Sequence, residues 1–379
     1  MSGAPDESPT IMELTRLPLD GCGLWRHGTL TPAIVVCLIL ASSFIVADLY
    51  YYGVLGELPC QASNCSSTIP QPSVKLMMQD HMSHYIHHYG AEEFEEATSL
   101  ADLPFITPNF ITTVHIFVGA LGGYLVSSEH YKIRQIAVGV FQFRIFLDMM
   151  DGVVYRRQLH QSTYVNGWGT LGYYIDAGAD VLASVILVYG LFVYLARHPP
   201  RRNEGLPLRH PPEPITDVPV SRSTIQLTLV ICLIQGCMRG MLWDRYQFAF
   251  HSVFSKVLHH KADAMLQASI FNSTLTRAVL WLWKLSSAEG MLGFVFFSIF
   301  LDFTWPMLVV IRKYGFIQLA VVVTISQLHA WQVRTKRMLA PLCPPSLYLS
   351  LSISLSIYLS ISLSLRGFTD CHGTQSRRT

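Results

Sequence analysis

Seven predominantly apolar stretches, each near the length needed to cross a lipid bilayer, decide what architecture is open to this chain: about 31–54, 106–126, 132–151, 170–196, 224–243, 289–311 and 315–333. A helix needs roughly 20 apolar residues to traverse a hydrocarbon core about 30 Å thick. In lipid each backbone N–H and C=O must be satisfied within the protein, so such stretches form helices. The composition agrees: of 379 residues 51% are hydrophobic and only 14% charged, against about 25% charged in soluble domains. A formal net charge of +2 excludes the strongly basic face that nucleic-acid binding requires. The expected fold is an all-α polytopic membrane protein.

The first stretch has no small-residue cleavage pattern after it, because Asp48-Leu49-Tyr50-Tyr51-Tyr52 occupies its exit. It reads as an uncleaved anchor with interfacial tyrosines. The connection holding Arg197, Arg201, Arg202, Arg209 and Arg222 is the best cytosolic loop, whereas 56–105 carries one basic residue, Lys75. With seven spans, the N-terminus then lies in the cytosol, and the sequons at Asn64 and Asn272 share the opposite, lumenal side with Cys60 and Cys65, where a disulfide is permitted. One signal dissents: 244–289 holds Arg245, Lys256, Lys261, Arg277 and Lys284. The expected organisation is a cytosolic 1–30, an anchor 31–54, a lumenal segment 55–105, a membrane domain 106–333 and a tail 334–379.

Against this apolar background four carboxylates stand out. They lie in Asp148-x-x-Asp151-Gly152-x-x-Tyr155-Arg156 and, after a loop, Gly172-x-x-x-Asp176-x-x-x-Asp180. An ionisable group in a membrane segment is costly and marks function by default. Spacings of three and four put each pair on one helix face, so two antiparallel neighbours bring four carboxylates to one point at the lumenal face. Hard divalent cations bind such oxygen sets. Gly152, Gly172 and Gly178 leave the backbone open to a bulky ligand, and Arg156 places a guanidinium that can grip phosphate beside the acids, with Arg157 read as a solvated loop residue.

This pattern, with Thr107-Pro108-Asn109-Phe110-Ile111-Thr112 ahead of it, resembles the signature of the CDP-alcohol phosphotransferases, integral membrane enzymes that move a phospho-alcohol from a CDP carrier to a lipid hydroxyl. Tyr155 replaces the family's usual alanine, and the spacer from Arg156 to Gly172 is longer than is usual. The resemblance implies a six-helix core over 106–333 with one additional N-terminal transmembrane helix. It also implies metal ligands at Asp148, Asp151, Asp176 and Asp180, where two cations can grip the donor's diphosphate, with Asp180 doubling as general base, and substrate contacts from Gly152, Arg156, Gly172, Asn109 and Thr112. An extra anchor, a lumenal segment and a lumen-facing site are similar to the sphingolipid-directed branch of that family. They imply CDP-ethanolamine as donor, ceramide as acceptor, Mn2+ (Mg2+ as substitute) as cofactor and a Golgi membrane setting. Related activities would use diacylglycerol or another CDP-alcohol.

Other polar positions are weighed against plainer roles. Arg144, one turn before Asp148, can neutralise the acids or simply pair within its helix. Asn109, Thr112 and His115 share a face that can line the nucleotide end, and His115 reads equally as a satisfied interhelical hydrogen-bonder. Asp302, placed mid-span beside Pro306, is expected to face the site or to pair with Arg239. Asp80, His81, His84 and His88 superficially suggest a zinc box, but a solvated amphipathic helix followed by the acidic run Glu92-Glu93-Phe94-Glu95-Glu96 is the favoured reading. The pairs Gly119/Gly123 and Gly236/Gly240 mark close helix packing and leave a homodimer open. Residues 346–365 alternate Ser with Leu or Ile, follow no helical period and are expected to carry no enzyme function. An ion-coupled transporter is the competing class. It would string polar residues through several spans and repeat its halves, and neither pattern is present.

Overall fold

The computed structural model describes residues 30–57, 73–160, 170–201, 218–254 and 267–335. Asn64, Cys60, Cys65 and the 346–365 repeat lie outside the described residues. Within them the chain is helical, with a single isolated bridge between Arg201 and Pro219 and no strand. The helices are α1 (Leu30–Glu57), α2 (Ser73–Met78), α3 (Tyr89–Thr98), α4 (Pro108–Val126), α5 (Tyr131–Gln158), α6 (Leu171–Arg197), α7 (Arg222–Phe254), α8 (Thr274–Ser286), α9 (Ala288–Phe300) and α10 (Thr304–Thr335). Four of them, α4, α6, α7 and α10, are long and apolar enough to cross a membrane; the apolar part of α1 and α9 are shorter. These four mark a membrane protein.

Local chemistry sets the helix starts. Thr107 caps α4 by accepting from the Phe110 amide at 3.2 Å, with Pro108 at the first helical position. Thr170 caps α6 through the Tyr173 amide at 3.3 Å. Ser287 ends α8 and caps α9, its hydroxyl accepting from the Gly290 amide at 3.0 Å.

Helices α4, α5 and α6 form the unit that carries the acids. Contacts advance along α4 as they retreat along α5: Thr112 meets Asp151, Gly119 lies beside Arg144 and Gly122 against Phe141. Along α6 they advance together, Gly119 meeting Ala183 and Gly123 meeting Ile186 and Gly190. At Gly123 and Gly190 the two backbones approach so closely that an added Cβ on either would collide. Gly236 and Gly240 similarly seat Met291 and Ala288 of α9 against α7. Both glycine pairs therefore pack helices of this chain and carry no argument for a dimer. Phe141 stacks on Phe296 with centroids 5.4 Å apart, tying the unit to α9 in a core with Leu187, Leu229, Val295 and Leu308.

The last two expected spans are redrawn. The chain turns at Leu301–Phe303, not at the polar Arg312-Lys313-Tyr314, which lies inside the continuous 32-residue α10. Arg312 is accommodated because it donates to Thr228 of α7 at 2.9 Å. Pro306 falls in the first turn of α10, where its missing N–H costs no helical bond, so it opens a helix and kinks none. Asp302 sits in the turn with φ 57°, a left-handed conformation that Asp tolerates better than most residues. Its partner is Arg134 at 2.6 Å, at the end of the bundle away from the acid cluster. Arg134 also donates to the Ser128 and Glu129 carbonyls and lies 4.1 Å over the Tyr194 ring. Arg239 instead donates to the carbonyls of Ser286 and Gly315 and to Gln318. Neither expected role of Asp302 therefore holds.

The segment 73–107 is not the solvated helix expected. Met77, Met78 and His84 are fully buried and His87 and Glu95 nearly so, because α2 packs on Tyr246, Phe250 and Trp283 of α7 and α8. Glu92, Glu93 and Glu96 remain exposed. Residues Ser83–His88 are π-helical, which breaks the α-helical register behind the zinc-box pattern.

His81 and Tyr85 turn toward Asp48 of α1, whose carboxylate accepts from His81 at 2.8 Å, Tyr85 at 2.6 Å, Trp281 at 2.8 Å and Lys284 at 2.6 Å. Lys284 is wholly buried and also donates to His84 Nδ1 at 2.9 Å. Burial, reinforced by that ammonium, pushes the His84 imidazole down to about 3, so it stays neutral and can accept. Removing one partner of a buried pair strands the other charge, at a cost of about 3–5 kcal/mol. Asp48→Ala is expected to lower the melting temperature of the detergent-solubilised protein sharply, and Asp48→Ala with Lys284→Met to recover much of the loss; equal losses in single and double variants would refute the pairing.

Candidate active site

The C-terminal half of α5 and the first turns of α6 bring the four aspartates together, with the start of α4 closing the third side. Two groups of side chains have donor atoms mutually within 4.8 Å: Asp148, Asp151 and Asp176, and His115, Asp148 and Asp180. Asp148 belongs to both. Asp151 is held by the Thr112 hydroxyl at 2.8 Å, and that hydroxyl also lies 3.0 Å from the Pro108 carbonyl. Arg144, nearly buried, reaches from α5 to pair with Asp180 of α6, and so contributes one positive charge against four carboxylates.

Asp148 Oδ1, Asp176 Oδ1 and both ring nitrogens of His115 are buried without a hydrogen-bond partner among the described residues. Unmet buried polar atoms are costly, all the more when charged. An imidazole and several carboxylate oxygens converging on a small volume are the donors a divalent cation takes. The residues present thus fit a metal ion.

The other expected site residues fall in three ways. Thr112 is buried against Asp151, whereas Asn109, on the same helix, is exposed in the first turn. Gly152 would carry a Cβ meeting only the Arg156 guanidinium, at 3.5 Å, and Gly172 and Gly178 face open space. No protein packing therefore requires these glycines. Arg156 stands on the turn after Gly152, with Nη2 3.8 Å from Glu92 Oε1. His88 approaches the same Glu92 oxygen at 3.5 Å, so α3 reaches the rim of the cluster. Arg144 takes the neutralising role, with Asp180 rather than an intrahelical acid as its direct partner. Asn272 is exposed at the same end of the bundle and accepts from Arg277 at 2.8 Å. The histidines at 81, 84 and 88 enter neither cation-compatible group among the described residues.

Sequence reasoning weighed His115 but did not see it as part of the acid cluster; its stripe with Thr112 was the available signal. Glu92 and the Asp48 network were missed outright. Their partners come from distant segments, and no local pattern marks them.

Bundle and site together define a membrane protein, helical over its described residues, with an acid cluster fit for a metal ion. A family model for ceramide phosphoethanolamine synthase matches residues 58–337, beginning after α1 and taking in the segment at 73–107. A Drosophila melanogaster protein named ceramide phosphoethanolamine synthase is 32% identical over 263 residues, 68% of this chain and 67% of that protein. No solved structure matches. The chain belongs to the ceramide phosphoethanolamine synthase family, a family of transferases. Membership in it removes the transporter reading.

With Arg144 withdrawn, the carboxylates lose the one guanidinium placed among them and repel one another at close range. Arg144→Met should therefore destabilise the chelator-treated protein more than the same protein in millimolar divalent cation, as read by thermal melting. Equal destabilisation in both conditions would show that Arg144 acts by packing alone.

Proposed function

We propose that this chain transfers phosphoethanolamine from CDP-ethanolamine to the primary hydroxyl of ceramide, giving ceramide phosphoethanolamine and CMP. The observation that carries the reading is the convergence of Asp148, Asp151, Asp176 and Asp180 with unpartnered buried donors in a chain of this family. Asp148, Asp151 and Asp176 hold a divalent cation, Mn2+ with Mg2+ as a substitute, and Asp180 lies beside them. When bound, such a cation neutralises the diphosphate and eases departure of the CMP group.

The chain's own residues do the rest. Asp180 is the carboxylate open to an incoming alcohol: its side chain is 41% exposed, against 15% for Asp148. Arg144, paired with it, fixes its orientation. Asp180 takes the proton from the ceramide hydroxyl. The freed oxygen attacks the phosphorus that bears ethanolamine, and the bond from that phosphorus to the CMP oxygen breaks in line. Arg156 grips the diphosphate, and the bare backbone at Gly152, Gly172 and Gly178 leaves room for it.

The same reading places the site in the Golgi lumen. Arg197, Arg201 and Arg222 border the opposite end of the bundle, as positive-inside predicts for the cytosol, and the exposed sequon at Asn272 shares the site's end. Lys284, one of the dissenting basic residues, is buried against Asp48 and so gives no vote on orientation.

Membranes expressing the chain, given CDP-ethanolamine, ceramide and Mn2+, are expected to release CMP and form a new sphingolipid. CDP-choline and diacylglycerol in parallel incubations are expected to give little product, and a preference for either would reassign the donor or the acceptor. Asp180→Asn should lower turnover by about 10²-fold or more while donor binding persists; turnover at the parent rate would remove Asp180 as the base.

A further inference from the structure

The proposed transfer uses carboxylates and leaves His115 without a task. Its side chain is wholly buried on α4, yet neither ring nitrogen has a hydrogen-bond partner among the described residues. Nδ1 lies 3.5 Å from Asp148 Oδ1, and the ring shares its small volume with Asp180 as well. A histidine that only joined helices would spend at least one nitrogen on a carbonyl or hydroxyl. This one is directed at two carboxylates and at nothing else that would satisfy it.

The groups around it narrow the explanation. Helix α5 presents Asp148 and, one turn earlier, Arg144; α6 presents Asp180; α4 itself presents Thr112, already engaged with Asp151. An imidazolium here would add a second positive charge near the Arg144 guanidinium. A neutral imidazole offers a lone pair to whatever the two carboxylates bind.

We infer that His115 is a nitrogen ligand, with Asp148 and Asp180, of one of the two divalent cations that a diphosphate donor calls for, so that Asp148 serves both ions. The inference rests on the reading of the acid cluster as a cation site and extends it to the choice of metal. Mg2+ strongly prefers oxygen donors, whereas imidazole suits first-row transition ions. One nitrogen in the set biases this half of the site toward a transition ion, which the four acids alone would not do.

Pulsed electron paramagnetic resonance of Mn2+ bound to the purified, chelator-stripped full chain tests this directly, because a coordinated imidazole imprints a nitrogen modulation that carboxylates and water do not. The parent protein is expected to show that modulation. His115→Gln is expected to lose it, to keep the ion held by Asp148, Asp151 and Asp176, and to bind the second ion about tenfold or more weakly, with a reduced preference for Mn2+ over Mg2+. Bound Mn2+ without nitrogen modulation in the parent overturns the role of His115 and leaves the acid cluster standing, as does modulation that survives in His115→Gln. No Mn2+ binding by the parent overturns both. The spectrum of the parent needs no variant, so a misfolded His115→Gln cannot mask the answer.

Discussion

Four carboxylates from α5 and α6 gather beside the start of α4 and repel one another, and Arg144 sets a guanidinium in their midst. Much of the rest of the fold holds that unfavourable arrangement in place. Helix α4 closes on α6 at Gly123 and Gly190 and delivers Thr112 and His115 to the acids. The opposite end of the same unit is clasped by Arg134, which joins Asp302, two carbonyls and the Tyr194 ring. The acids thus sit at the end of a bundle fastened elsewhere, so their positions do not depend on their own mutual interactions.

A second polar centre fastens the parts that flank this unit. Asp48 on α1 gathers donors from the segment at 73–107 and from α8, and the apolar side of α2 seals against α7 and α8. From that anchored segment α3 extends to Glu92, which meets Arg156 at the rim of the acid cluster. The family match includes this segment together with the bundle, consistent with one working unit. Its chemistry is that of a partial roof: apolar where it rests on the bundle, ionic where it borders the site.

Much of the site was legible because its signals are local. Spacings of three and four residues put Asp148 with Asp151 and Asp176 with Asp180 on common faces, and packing of both helices against α4 brings those faces together. The limits of α4 and α6 were legible to within about two residues, since Pro108 and Arg197 bound clean apolar runs. Hydropathy failed where polar residues find remote partners. Arg312 reads as a break between spans, yet Thr228, 84 positions away in sequence, lets α10 continue through it. Lys284 reads as a loop charge, yet it is neutralised by Asp48, 236 positions distant. Asp302 looked like an intramembrane acid because the turn that exposes it is not marked by glycine. His115 could be placed on a face but not beside the acids, since that depends on how α4 is rotated against α5 and α6.

In the proposed mechanism, phosphoethanolamine transfer at this site depends on a cation held by these acids. Its most direct measurement is ceramide-dependent CMP release by the purified, chelator-treated chain supplied with CDP-ethanolamine, before and after Mn2+ is restored. The account predicts negligible release without the ion and recovery with it, in step with formation of ceramide phosphoethanolamine. Undiminished release in chelator would contradict it.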